Sequence, residues 1–262
     1  MNGIPMNSSQ AIHNKIGIVG VPPLEIIRQL NEAQAAIVDL DEPQLFLPID
    51  QSDQYLPRVY CAILRTVLLN ALNLRLERIY VDVGPGKCDC ALHVAAVLKD
   101  ILSIPVVATR NTDTQSFGFP VCQSSLPLIE KMRRITKGVQ SCQPWPQLPS
   151  CAPTAGFWGV PPRDFSILAP FPDSTHIYGW TRCMENKTPA DLELEAYCNP
   201  AVPTVFFAQS FCAKTALAKH LAARHPKALW VDCDVSAGSS ARAKIEAFLE
   251  LSGVLGGDSA AG

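Results

Sequence analysis

The chain lacks long apolar runs: across 262 residues no stretch reaches the roughly 18 consecutive apolar residues that a membrane-crossing helix requires. No membrane partner is expected. It also lacks a block of basic residues, and 22 Lys and Arg nearly balance 24 Asp and Glu, leaving a formal charge of -2. With no basic stripe to neutralise phosphates, no nucleic-acid partner is expected either. The polar start, Met1–Gln10, has neither the cationic flank nor the cleavage site of a signal peptide, and the first apolar run, Ile16 to Val21, is short for its core. A cytoplasmic address is the expectation.

What is present is cysteine, ten of them, in a chain that is 48% hydrophobic and long enough to bury one large α/β unit or two smaller lobes. In a secreted mini-protein an even count suggests disulfides; in a cytosolic chain of this size thiols serve metals, redox chemistry or packing.

Two segments open alike: Gly20-Val21-Pro22-Pro23-Leu24-Glu25 and Gly159-Val160-Pro161-Pro162-Arg163-Asp164. They are read as the starts of two related lobes. In the first, strands are expected at Ile16 to Gly20, Ala36 to Leu40, Arg78 to Val83 and Pro105 to Thr109, with helices at Leu24 to Glu32, Ala62 to Asn73 and Ala91 to Ile101. In the second, strands at Thr175 to Gly179, Thr204 to Ala208 and Ala228 to Asp232 alternate with helices at Ala213 to Arg224 and Ala241 to Ser252. Such alternation predicts parallel, doubly wound sheets. Residues 1–115 form the first lobe, 116–155 a Pro- and Cys-containing bridge with one helix at Leu126 to Ile135, and 156–262 the second lobe, with a frayed tail from Gly253.

Cys61, Cys88 and Cys212 share one kind of place, where irregular chain turns into a helix. Unpaired N–H groups and the positive end of the helix dipole favour a thiolate or an anionic centre there. Cys88 and Cys212 also follow strand ends, where open α/β sheets bind ligands. The competing reading of each is a buried, packing cysteine. Arg65, one turn after Cys61, is placed to offset charge, or to form a surface ion pair. His93 is a candidate proton shuttle, with an ordinary helix histidine as its rival. Trp180 and Arg182, at a strand end, are candidates for an anionic ligand, or else a core aromatic and a capping arginine. Cys90 is read as packing and Cys233 as core, and Cys142 and Cys151, nine apart, fit no common zinc or ferredoxin spacing.

At these residues the chain resembles the 2-hydroxyacyl-CoA dehydratase and benzoyl-CoA reductase family. Asp53-Gln54-Tyr55-Leu56-Pro57-Arg58-Val59-Tyr60-Cys61-Ala62-Ile63-Leu64-Arg65 is similar to its first ligand segment, Lys87-Cys88-Asp89 to its second and Phe206-Phe207-Ala208-Gln209-Ser210-Phe211-Cys212 to its third, while residues 241–250 resemble its closing helix. The resemblance implies an α/β fold of two flavodoxin-like lobes, with a 4Fe-4S cluster in the cleft between them on three cysteines and one iron open to substrate. It implies a low-potential reductase or reductive dehydratase component working by single-electron transfer on a small molecule. It further implies an ATP-hydrolysing activator as electron donor and pairing with a like or related subunit. No Gly-rich loop ending in Gly-Lys-Ser/Thr occurs, so an ATP-driven step would need such a partner. The chain is shorter than typical members, with little room between Asp191 and Thr204 for their extra helical segment. Two other classes stand beside this one: a non-catalytic electron relay or cluster-assembly scaffold, and a zinc-stabilised interaction protein.

Overall fold

The computed structural model describes residues 15–255 apart from Ala237; the polar start Met1–Gln10 and the tail beyond residue 255 lie outside the described residues. The first lobe runs β1 (Lys15–Val19), α1 (Leu24–Glu32), β2 (Ala36–Asp39), α2 (Ala62–Asn73), β3 (Arg78–Asp82), α3 (Asp89–Ile101) and β4 (Val106–Thr109). After α4 (Leu128–Gly138) the second continues with β5 (Ala155–Gly159), β6 (Thr175–Tyr178), α5 (Trp180–Asn186), α6 (Leu192–Ala196), β7 (Thr204–Gln209), α7 (Lys214–Arg224), β8 (Ala228–Cys233) and α8 (Ser239–Leu251).

Each lobe holds a four-stranded sheet, ordered β2-β1-β3-β4 and β6-β5-β7-β8. All six strand pairings are parallel. This is the expected α/β architecture, two flavodoxin-like lobes whose strand order follows the doubly wound pattern. The central strands read as continuous apolar runs because helices cover both faces: every residue of β5 and of β7 is buried. Helix α2 is apolar around most of its circumference because it lies inside the first lobe's core, with Val67 and Leu68 fully enclosed beside Ile79, Val81 and Leu98.

The two starting segments lie at equivalent points, after β1 and after β5, the strands second in each sheet order. Their sequels differ. In the first copy Leu24–Glu32 is free of proline and forms α1; in the second, Pro170 and Pro172 limit the chain to a short turn at Phe165–Leu168. Helix α4 packs over that turn, placing Leu128, Met132 and Ile135 in one cluster with Phe157, Ile167 and Ile177. Buried Lys131 fixes it further by donating to the carbonyls of Asp173 and Thr175, each at 2.7 Å. The 116–155 segment thus supplies a layer of the second lobe.

The same cluster contains Ile18, Val21 and Ile27 from the first lobe, so the core runs across the seam. Polar contacts pin it. The Asn111 side chain donates to the carbonyls of Val21, Pro22 and Lys187. Arg163, the residue that breaks the repeat, reaches from the second lobe to the Asp41 carbonyl and, at 3.2 Å, to the Glu42 carboxylate. Among the described residues no helix is long and apolar enough to cross a membrane.

Burial shifts several groups near the seam and in the second lobe. It pushes the Lys187 ammonium down to about 8, the Cys183 thiol up to about 12 and the Cys233 thiol up to about 11. The signs oppose. Thiols with raised values stay protonated where the unfolded chain ionises, so the stability they contribute disappears as pH rises above about 8.5 and through their folded values. The depressed lysine does the reverse: its cost to folding is relieved between about 8 and the ordinary lysine value of about 10.4. Urea unfolding under reductant is expected to show stability falling between about pH 7.5 and about pH 9.5, because the thiols whose values are raised, Cys61, Cys88, Cys122, Cys183, Cys198 and Cys233, outnumber the two lysines whose values are lowered, Lys131 and Lys187. In Lys187→Met the fall should be steeper. A variant with an unchanged slope would show that Lys187 titrates normally.

Candidate functional site

The two sheets turn their carboxyl ends toward each other around a cavity of about 300 Å³. Cys61, Cys88 and Cys212 all line it. Cys61 is the residue immediately before α2 and Cys88 the residue immediately before α3, whereas Cys212 precedes Ala213 at the start of α7. Neither Cys61 nor Cys88 closes a tight capping bond to its helix. First-turn amides still favour the thiolate at each: Ile63 and Leu64 at Cys61, Ala91 at Cys88 and Lys214 at Cys212.

The topology explains the spacing. Strands β3 and β7 hold equivalent places in their sheets, and the chain leaving each carries a cysteine toward the seam. Cys61 follows β2; its counterpart after β6 is the start of α5, where Trp180 stands and also lines the cavity. The first lobe therefore supplies two thiols, and the second one thiol and an indole.

Cys61 and Cys212 meet across the seam, Cys212 packing against the first lobe's core together with Cys88 and Cys90. The Cys61 thiol donates to the Cys212 sulfur, a contact that raises the Cys61 pKa, with burial adding to it, and lowers that of Cys212. Cys212 is the more acidic member of the pair. Burial raises Cys88, against the pull of Lys87 and the Ala91 amide. Among the described residues no set of three or more His, Cys, Asp or Glu converges tightly enough to hold one metal ion. A tetrahedral zinc site at Zn–S distances of about 2.3 Å would need such convergence; thiolates on separate irons of a cluster stand farther apart.

The other candidates are placed elsewhere. Arg65 is buried and does not line the cavity. Its guanidinium donates to Ser52 Oγ at 2.7 Å, the Ile49 carbonyl at 2.9 Å and Asp53 Oδ1 at 2.6 Å, which binds the 49–58 loop that delivers Cys61. Arg182 pairs with Glu185 on its own helix at 2.9 Å. His93 is exposed on α3. Neither lines the cavity. Cys90 meets the Tyr60 hydroxyl instead. Cys122 and Cys183 are core residues, and the Cys151 thiol donates to the Ser124 carbonyl at 3.2 Å, away from Cys142 beside Asn31. All ten cysteines are free thiols.

Sequence reasoning missed three cations that line the cavity: Lys87, Arg163 and Lys214. Signals for them existed. Lys87 adjoins Cys88, Lys214 is two residues past Cys212, and Arg163 is where the second starting segment departs from the first. Lys87 Nζ and Lys214 Nζ lie 4.9 Å and 4.4 Å from the Trp180 ring centre.

The contact between Cys61 and Cys212 yields a direct test. Metal-free protein treated with diamide, which takes two electrons and two protons as two thiols become one disulfide, is expected to give a Cys61–Cys212 crosslink as the first product by peptide mass spectrometry. Cys212→Ser should abolish it, and a different first pair would contradict this packing. A scan against protein-family models finds no match to this chain, and neither does a search of curated proteins.

Proposed function

We propose that the chain holds an iron-sulfur cluster on Cys61, Cys88 and Cys212 and serves as the cluster-bearing component of a low-potential reductase or reductive dehydratase. The observation that carries this reading is the convergence of all three thiols on one cavity between the lobes. The donor set suits such a group: three sulfurs, each at the start of a helix, in a largely apolar wall that also carries Lys87, Arg163 and Lys214. When bound on three thiolates, a four-iron cluster supplies one open iron for a substrate oxygen and exchanges single electrons.

The chain's own residues would then divide the work. Arg65 positions the Cys61 loop; the seam contacts of Arg163 and Asn111 bring Cys212 to the other two thiols; and Val19, Ala91, Val160 and Leu217 keep the surroundings apolar. An external electron donor needs a surface close to the centre. Val59, Leu92 and Phe211, within four residues of Cys61, Cys88 and Cys212 respectively, are all exposed apolar side chains, and Phe211 holds a left-handed backbone (φ 61°). A donor that hydrolyses ATP remains the proposed partner, since the chain carries no Gly-Lys-Ser/Thr phosphate loop.

Anaerobic purification tests this. The expected protein is brown, with broad visible absorption and about four irons and four sulfides per chain. Cys61→Ser, Cys88→Ser or Cys212→Ser should each strip most of the iron, while Cys90→Ser and Cys151→Ser retain it. Colourless protein carrying zinc, or iron that is indifferent to all three substitutions, would sink the reading. A cluster whose spectrum ignores every small oxygen-bearing ligand would instead favour an electron relay or assembly scaffold.

A further inference from the structure

The cavity's three cations are not equivalent. Arg163 is committed to the Asp41 carbonyl and the Glu42 carboxylate. Lys214 is committed to the Glu195 carboxylate and, at 3.1 Å, to the Gly86 carbonyl. The Lys87 ammonium has no hydrogen-bond acceptor and no ion pair among the described residues. The nearby Asp82 carboxylate is close enough to feel its charge but is not bonded to it: Asp82 Oδ1 takes the amides of Gly84 and Asn111, and the carboxylate's other neighbour is the Thr109 hydroxyl. Lys87 is held by geometry. Its Nζ lies 4.9 Å from the centre of the Trp180 ring. Gly20, in a left-handed conformation at φ 77°, makes room for it, since a Cβ there would sit 2.1 Å from Nζ.

A half-buried ammonium on a mostly apolar wall is costly until an anion bonds to it, and the Asp82 charge at a distance and the indole face offset only part of that cost. Both acidic groups of the wall are already engaged: Asp41 accepts the Gly20 amide at 2.6 Å and Glu42 accepts Arg163 at 3.2 Å. One uncommitted cation suits one negative charge. A phosphate dianion would want further donors, whereas a carboxylate is satisfied by Lys87 together with ordered water. The remaining surface, from Trp180, Ala91, Val19 and Leu217, receives an apolar body.

From this arrangement we infer that the cavity binds a small monocarboxylate, its carboxylate on Lys87 and its apolar body against Trp180, beside the three thiols. The inference deepens the function proposed above and rests on it for the ligand's being a substrate.

The test uses anaerobically purified full chain and two isosteric probes, 4-methylpentanoate and the uncharged 4-methylpentanamide, with binding followed by calorimetry. The acid is expected to bind, and the amide at least about tenfold more weakly. Lys87→Met should weaken the acid by about tenfold or more, while Lys87→Arg keeps it within a few fold, circular dichroism confirming that both variants fold. Equal binding of acid and amide, no binding of either, or full binding by Lys87→Met would overturn the inference. So would a Lys87→Met protein that loses its iron yet still binds the acid normally, since Lys87 would then serve only to balance cluster charge. Iron content read on the same samples reports on the cluster separately. Lys87-dependent selectivity in iron-free protein would therefore sustain the carboxylate site while removing the cluster reading.

Discussion

The packing of one lobe's carboxyl edge against the other's governs everything else in this molecule. Parallel strands deliver their loops to one side of a sheet, so each lobe alone gathers its chemically useful residues along one edge. Those edges become one site only because they are held face to face. Arg163 crosses to Asp41 and Glu42, Asn111 gathers three carbonyls from both lobes, and Ile18, Val21 and Ile27 enter the second lobe's apolar cluster. Burying an arginine and an asparagine in this way is worthwhile only when all their polar atoms find partners. Most do here, although Arg163 Nε has none.

Within that seam the electrostatics follow from the helices. Three helix starts and three cations surround three thiols, and the balance between burial and charge differs at each sulfur. Cys212, which accepts the Cys61 thiol and has Lys214 beside it, is driven toward the thiolate; Cys88, more dependent on Lys87 and the Ala91 amide, is held back by burial. Of the three sulfurs only Cys212 is shifted toward ionisation by this local structure, while the bond to Cys212 together with burial holds Cys61 in the thiol form and burial does the same for Cys88.

Much of the fold was legible because the strands and helices carry strong local signals. Arg78–Asp82 and Thr204–Gln209 are rich in β-branched and aromatic residues, and α1 and α2 begin and end where the sequence places them. Strand β5 escaped because Ala-Gly-Phe-Trp-Gly has no β-branched residue and becomes a strand only through enclosure on both faces. The cleft between the lobes was legible, but the contacts that pin the seam were not, since Asn111 and Arg163 find partners far away in sequence. Arg65 shares a helix face with Cys61 by spacing, yet Ser52, Asp53 and the Ile49 carbonyl offer it better partners on the loop side. His93 lies five residues past Cys88, which turns it about 140° around the helix and out to solvent.

The two-to-one division of thiols carries a mechanical consequence. Because Cys61 and Cys88 belong to one lobe and Cys212 to the other, anything held on all three sulfurs would tie the two sheets together. Such a bridge would share its strain with the Asn111 contacts, at a distance from the sulfurs themselves.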